Sequence, residues 1–144
     1  MRKATLQMID RKITSILTRL PKAAVAAKIH LPEINKGEVY VGGTIGPDGR
    51  ITHTILMPEE RLVENWDAGM TFAQQQGGDL PNRIEQAMLR AHHRKFFQER
   101  AYWSNEQCAH DSDYAWGQSF DCGYQFNWHK ADKLMARAVR RVKD

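Results

Sequence analysis

The chain has 144 residues, of which 42% are hydrophobic and 26% are charged. This length and composition are typical of one globular domain with a real core and a short appendage. The apolar runs are too short to cross a bilayer, and charged residues interrupt the N-terminal stretch. Neither membrane insertion nor a secretion signal is therefore predicted.

The net charge of +4 is unevenly distributed along the chain. Residues 1–30 carry seven Lys or Arg against one acid, residues 31–127 carry eight against fourteen, and residues 128–144 carry six against two. The basic character is therefore terminal. A polyanion would bind the first helix or the last strand, whereas the acidic middle of the chain would repel it. Nucleic acid is not an expected partner.

Large apolar residues near the N-terminus recur at alternating spacings of three and four positions. They are Leu6, Ile9, Ile13, Ile16 and Leu20. The pattern predicts an amphipathic helix that ends before Pro21 and self-associates as a coiled coil, and isoleucine at both seam positions favours a homotrimer or homotetramer. Packing of this stripe on the chain's own domain is the alternative. Residues 1–30 are thus predicted to be a helical extension, and residues 31–144 the main domain.

The main domain begins with a predicted β-hairpin. The segments VYVGGTI at 39–45 and RITHTIL at 50–56 flank Gly46-Pro47-Asp48-Gly49, a sequence typical of a turn between antiparallel strands.

Two helices are predicted after the hairpin. The first carries apolar residues at Trp66, Met70 and Ala73. It should end at Gly77-Gly78, because glycine commonly terminates helices. The second, at about 83–95, follows Asn82 and Glu85, which match a capping box. The apolar residues that share one face of this helix are Ile84, Ala87, Met88 and Ala91.

Short strands and loops are predicted after the second helix. The strand at 114–120 has large residues on one face and Ala115, Gly117 and Ser119 on the other. A face of small residues lets another layer approach closely.

Several motifs together resemble a known family. They are GEVYVGG, GGDLPNRIEQAML, YWSNEQ, YAWGQSF, DCGYQ and ARAVRRV. From Gly37 to Val142 the chain resembles the bacterial and phage domain of unknown function typified by the C-terminal domain of the Legionella collagen-like adhesin. The resemblance implies an α+β, C-type-lectin-like fold with two helices, a small antiparallel sheet and a long loop region.

The same resemblance implies a recognition module of phage or prophage type. Because no secretion signal is predicted, the expected location is the host cytoplasm or the virion. The adhesin suggests a sulfated polysaccharide as the ligand, and phage tropism determinants of the broader fold suggest receptor binding. The expected ligand is thus a protein or a glycan. Two alternatives are an intracellular accessory protein that binds and modulates a host protein, and a polyanion binder.

A binding surface is predicted in two loops, at 104–113 and 121–133. Tyr124, Phe126 and Trp128 alternate in sequence, which predicts an exposed aromatic row beside His129 and Lys130. The other residues expected at this surface are Asn105, His110, Asp111 and Asp113.

Catalytic and metal chemistry have weak support in the sequence. Asp111 and Asp113 are too few oxygen ligands for calcium, and the spacing of Cys108, His110, Cys122 and His129 matches no familiar zinc motif. No nucleophilic triad or phosphate-binding glycine loop is present. We therefore expect no enzyme activity, cofactor or metal. Cys108 and Cys122 should be free thiols, and a disulfide between them is the alternative.

Three arginines in the last predicted strand allow two interpretations. Arg137, Arg140 and Arg141 could belong to a solvated strand with one internal ion pair, or could form a clamp for sulfate or phosphate.

Overall fold

The computed structural model describes residues 28–144. The chain divides into two compact units, Met1–Leu31 and Pro32–Asp144, and the second contains the strands and helices described below. The predicted oligomerisation residues Leu6, Ile9, Ile13, Ile16 and Leu20 lie outside the described residues. Their role stays a prediction.

Six strands of the second unit form one mixed sheet. They are β1 (Val39–Ile45), β2 (Ile51–Leu62), β3 (Ala101–Gln107), β4 (Tyr114–Ser119), β5 (Gln125–His129) and β6 (Met135–Lys143). Their order is β1-β2-β6-β3-β4-β5, and β3 and β6 are the parallel pair, joined at Tyr102 and Met135. The wholly antiparallel sheet that the resemblance implied is therefore corrected to a mixed one, because β6 inserts between β2 and β3.

The predicted hairpin is confirmed by the pairing of β1 with β2. Ile45 lies opposite Ile51, and between them the Gly49 N–H donates to the Gly46 carbonyl at 2.9 Å. Gly49 has a positive φ of 76°, a conformation that glycine adopts without steric cost.

Both predicted helices are present, as α1 (Trp66–Gln75) and α2 (Arg83–His92). The α1 helix is followed by Gly77, which has a φ of 85°. Asn82 caps α2 by accepting from the Glu85 N–H, and the Glu85 carboxylate accepts from the Asn82 N–H, both at 2.8 Å. The capping box is thus confirmed. A short 3-10 turn, Arg94–Phe96, follows α2. Within residues 28–144, no helix has the length and apolar character needed to cross a bilayer.

The two helices cover opposite faces of the sheet. Successive strand residues point to opposite faces, so Trp103 packs in a cluster with Phe72 of α1, whereas Tyr102 packs in a second cluster with Leu89 of α2. The hydrophobic core consequently has two layers, one on each side of β3 and β6.

The apolar face predicted for α2 does not point into the core. Ile84 is 65% exposed, Ala87 and Ala91 are also exposed, and Met88 is half-buried. The helix instead buries Glu85, Gln86 and Leu89. Polar partners in the sheet cause this orientation, since Arg141 binds Glu85 and the Tyr102 carbonyl accepts from the Gln86 amide.

Arg141 of β6 fixes α2 to the sheet. Its Nε and Nη2 donate to the two oxygens of Glu85 at 2.9 and 2.7 Å, and its Nη1 donates to Asp79 at 2.8 Å. Thr54 donates to the same buried Glu85 carboxylate, and Asn105 donates to Asp79. The guanidinium is therefore the centre of an internal polar network.

The other two arginines of β6 also bind acceptors inside the domain. Arg140 donates to both carboxylate oxygens of Glu38, at 2.9 and 2.8 Å, and these bonds hold the pKa of Glu38 at about 2. Arg137 donates to the Met57 carbonyl at 2.9 Å and lies 3.8 Å from Glu60. All three guanidinium groups thus have partners within the domain. The sequence had predicted only one such internal pair.

Candidate functional site

Strand β5 lies at one edge of the sheet, beside β4. The Ser119 N–H donates to the Tyr124 carbonyl at 2.9 Å, and the Lys130 N–H donates to the Asp113 carbonyl at 2.8 Å. Along an antiparallel pair, every second residue forms backbone hydrogen bonds with the neighbouring strand. The even-numbered residues from 124 to 130 therefore direct their backbone N–H and C=O groups toward β4. The residues whose backbone groups point outward are Gln125, Asn127 and His129.

The three predicted aromatic side chains form a row on one face of the sheet. The ring centroids of Tyr124 and Phe126 are 5.8 Å apart, and those of Phe126 and Trp128 are 5.4 Å apart in an edge-to-face arrangement. Tyr124 is 66% exposed, Phe126 is 46% exposed and Trp128 is half-buried. Tyr124 and Phe126 are thus exposed as expected, whereas Trp128 is partly covered, and the ligand of the row stays a prediction.

Trp128 anchors the row to β4. Its ring lies so close to Gly117 that a Cβ atom on that glycine would be 3.1 Å from Cε3 and Cζ3 of the indole. The neighbouring Ala115 is fully buried and lies opposite Trp128. The small-residue face predicted for this strand is therefore the surface on which Trp128 packs, and the packing holds the row on a rigid support.

Lys130 and His129 lie near the end of the row but face different ways. The Lys130 ammonium donates to the Gln107 side chain at 2.5 Å and lies 4.6 Å from the Trp66 ring centroid. Alternation along β5 places His129 on the opposite face, where its ring packs edge-to-face on Tyr114 at 5.4 Å. The structure therefore separates His129 from the aromatic row.

The predicted loops are shorter than expected. Strand β3 extends to Gln107, and β5 occupies 125–129, so both elements replace parts of the predicted loops. His110, Asp111 and Asp113 are exposed between β3 and β4. The Asp111 carboxylate accepts from the Asp113 N–H at 2.9 Å, and the Asp113 carbonyl contacts Lys130. The two predicted regions thus meet at the end of β5.

Asn105 is not brought to the row. Its side-chain amide donates to Asp79 at 2.8 Å, and its backbone N–H donates to the Pro81 carbonyl at 3.0 Å. These bonds place its side chain in the Arg141 network. The position of Asn105 therefore does not support its predicted contact with a ligand.

The cysteines and histidines do not gather into a metal site. Across residues 28–144, no group of three or more His, Cys, Asp or Glu side chains has the geometry to hold a metal ion. Cys108 is buried and Cys122 is exposed, and both are free thiols. A hydrogen bond with Ser119 lowers the pKa of the Cys122 thiol.

A groove lies on the α2 side of β4 and β5, on the face opposite the aromatic row. This groove has a volume of about 620 Å³ and is lined by Asn82, Arg83, Ile84, Ala87, Glu106, Gln118, Gly123 and Gln125. The Arg83 guanidinium lies 3.5 Å from the Trp116 ring centroid and donates to Gln125, which in turn donates to the buried Gln118. The amide side chains of the groove can form hydrogen bonds with a ligand, and the exposed Ile84 beside them can form an apolar contact with it.

The groove was missed in the sequence because its residues are scattered over four segments. The one available signal was Gln118, a polar residue on the face that also carries Trp116 and Phe120. A buried glutamine among large aromatic residues indicates an internal hydrogen-bond network.

Comparison of the whole chain with protein-family models gives no match, and a search among curated proteins finds no significantly similar sequence.

Proposed function

We propose that the chain is a non-catalytic recognition module of phage or prophage type, with a C-type-lectin-like fold. It binds a glycan or a protein through the aromatic row Tyr124, Phe126 and Trp128. The exposure of this row on a rigid edge strand is the observation that carries the proposal. The two helices and the six-stranded sheet are compatible with the proposed fold.

The row has the properties of a contact surface. Two adjacent large rings remain open to solvent, although burying such rings is among the largest sources of binding energy. The Tyr124 hydroxyl adds a hydrogen-bonding group at one end, and the Lys130 ammonium lies near the other. Aromatic rings bind a ligand by stacking, and an ammonium binds it by hydrogen bonding. Neither interaction requires a covalent bond to the ligand.

A polyanion is the less favoured ligand. The arginines of β6, which the charge distribution pointed to, already bind carboxylates and carbonyls inside the domain. Releasing one of them would leave a carboxylate such as the buried Glu85 without its cation, which is costly. A polyanion would therefore depend on the basic N-terminal residues.

A host-protein partner is the second candidate function, and the groove favours it. Ile84 projects beside the groove with 65% of its surface exposed, next to the polar pair Arg83 and Gln125. An exposed apolar side chain surrounded by hydrogen-bonding groups resembles the anchor positions of protein interfaces.

The proposal is tested by comparing single variants on an array of neutral and sulfated glycans. Tyr124→Ala and Phe126→Ala should each weaken binding roughly 30-fold, since a hot-spot side chain contributes about 2 kcal/mol. Tyr114→Ala is the matched control, because Tyr114 is also an exposed tyrosine but lies on the opposite face. Equal losses for Tyr114→Ala and Tyr124→Ala would contradict the assignment of the row.

A photo-crosslinking amino acid tests the protein alternative. Placed at position 124 or position 84 of the full chain, it should capture a host protein only at the position that contacts the partner. If a host protein is captured from position 84 but not from position 124, and no glycan on the array is bound, the groove is the recognition surface and the aromatic row is not.

A further inference from the structure

Strand β5 presents an open backbone edge. Its outward groups are the N–H and C=O of Gln125 and Asn127 and the N–H of His129, and within residues 28–144 none of these has a hydrogen-bond partner. The His129 carbonyl accepts from the Asp132 N–H at 2.9 Å and retains a second lone pair. A row of unpaired groups of this kind is a template for another strand.

The opposite edge of the sheet is less regular than β5 and is partly covered. Strand β1 has a register shift between Tyr40 and Gly42, and the Val41 carbonyl lies 3.1 Å from His93 Nε2. Bulges and covering side chains are the usual means of blocking an edge, together with charge and proline. The five residues of β5, QFNWH, include neither a charged residue nor a proline, and their register with β4 is continuous.

We propose that β5 pairs antiparallel with β5 of a second copy, across a two-fold axis at Asn127. In this register Asn127 exchanges both backbone hydrogen bonds with Asn127 of the second copy, and Gln125 lies opposite His129. Phe126 then lies opposite Trp128 of the second copy, and the symmetry produces this aromatic pair twice. Such cross-strand aromatic pairs stabilise antiparallel pairing, and the register places no like charges opposite one another.

The segment is self-complementary beyond the strand. Tyr124 falls opposite Lys130 of the second copy, so an exposed ring faces the aliphatic stem of a lysine whose ammonium contacts Gln107 and Trp66. An interface of this kind is isologous, because the same patch serves both copies. The pairing is also closed, because a two-fold axis uses the β5 edge of both copies and leaves neither of these two edges open to a third copy.

The pairing would enlarge the aromatic surface. A two-fold axis perpendicular to the joined sheet keeps the row of both copies on the same face, so the two rows become adjacent. Two linked sites bind a repeating ligand more tightly than one. The pairing itself depends only on the backbone edge and would stand even if the row had no glycan ligand.

Cysteine crosslinking in the full chain tests the register. Asn127→Cys is combined with Cys122→Ser, which removes the exposed thiol, while Cys108 is kept because it is buried. Facing residues of a hydrogen-bonded pair have Cα atoms about 5.5 Å apart, which a disulfide or a short dithiol-reactive linker can join. The variant should form a covalent dimer on oxidation. Gln125→Cys in the same background is the control, because it would face His129 and should remain uncrosslinked.

Measurement of mass in solution provides the second test. Asn127→Lys places two ammonium groups against each other at the axis, and Asn127→Pro removes the outward N–H without touching the bonds to β4. Each is measured with Ile9→Lys and Ile16→Lys present, which remove the self-association predicted for the first helix. In this background each should halve the mass of the full-length chain and leave its circular dichroism unchanged. An unchanged mass in both variants of this background, or equal crosslinking at positions 125 and 127, would overturn the proposal.

Discussion

The indole of Trp128 lies directly against the backbone of Gly117. A Cβ atom on Gly117 would be 3.1 Å from two carbons of this ring and 2.9 Å from the Tyr102 carbonyl oxygen. The ring and the strand beneath it are therefore packed without space for a methyl group. The position of the aromatic row depends on this glycine.

Gly117→Ala should displace Trp128 and weaken the domain. Overpacking of this kind costs about 1–3 kcal/mol, measured as the free energy of unfolding in urea. Gly69→Ala is the control, because a Cβ there would meet its nearest atom at 3.4 Å and alanine is the better helix residue. Its stability should stay equal or rise. A Gly117→Ala variant as stable as Gly69→Ala would contradict the close contact.

Arg141→Met should be among the most destabilising substitutions in the described part of the chain. It leaves Glu85, which is 3% exposed, as a buried carboxylate without its cation, at a cost of about 3–5 kcal/mol in unfolding free energy. Lys133→Met is the matched control, since Lys133 pairs with Glu64 on the open surface and should cost less than about 1 kcal/mol. Equal losses for the two variants would refute the role given to Arg141.

The Glu38–Arg140 pair predicts a loss of stability in acid. Arg140 lowers the pKa of Glu38 from 4.5 to about 2, so the folded state binds this proton less readily than the unfolded chain. The stabilisation is complete above the unfolded pKa and is lost as the pH falls through the folded one. Glu38→Gln should therefore be less stable than the native chain at pH 7 and should lose less stability between pH 5 and about pH 2. Parallel pH profiles of unfolding would contradict the ion pair.

Cys122 should react selectively with alkylating reagents. Its thiol is exposed and has a lowered pKa owing to Ser119, whereas Cys108 is buried. A larger thiolate fraction gives faster alkylation near neutral pH, so mass spectrometry should find the iodoacetamide adduct on Cys122 first. Ser119→Ala should slow this reaction by raising the pKa. Preferential labelling of Cys108 in the folded protein would be inconsistent with the structure.

Local features of the fold could be predicted from the sequence. The Gly46–Gly49 turn, the capping box of Asn82 with Glu85 and the glycine after α1 each depend on residues close together in the chain. The same holds for the row of Tyr124, Phe126 and Trp128, because alternation alone places their side chains on one face. These signals require no knowledge of distant partners.

Features that depend on distant partners could not be predicted in this way. The insertion of β6 beside β3 joins Tyr102 to Met135, and the orientation of α2 depends on Arg141, far along the chain from Glu85. The apolar pattern of Ile84, Ala87 and Ala91 therefore indicated the wrong buried face. The ion pair between Glu85 of α2 and Arg141 of β6 joins residues 56 positions apart, so the local apolar pattern carries no sign of it.

Nuclear magnetic resonance of the four tryptophan indole N–H groups tests the recognition surface most directly. Titration of the full chain with neutral and sulfated oligosaccharides should shift the Trp128 signal, which reports the row. The signal of Trp103, fully buried in the core, should not move. A shift confined to Trp116, beside the groove, or four unchanged signals in the presence of a bound ligand, would contradict recognition through the aromatic row.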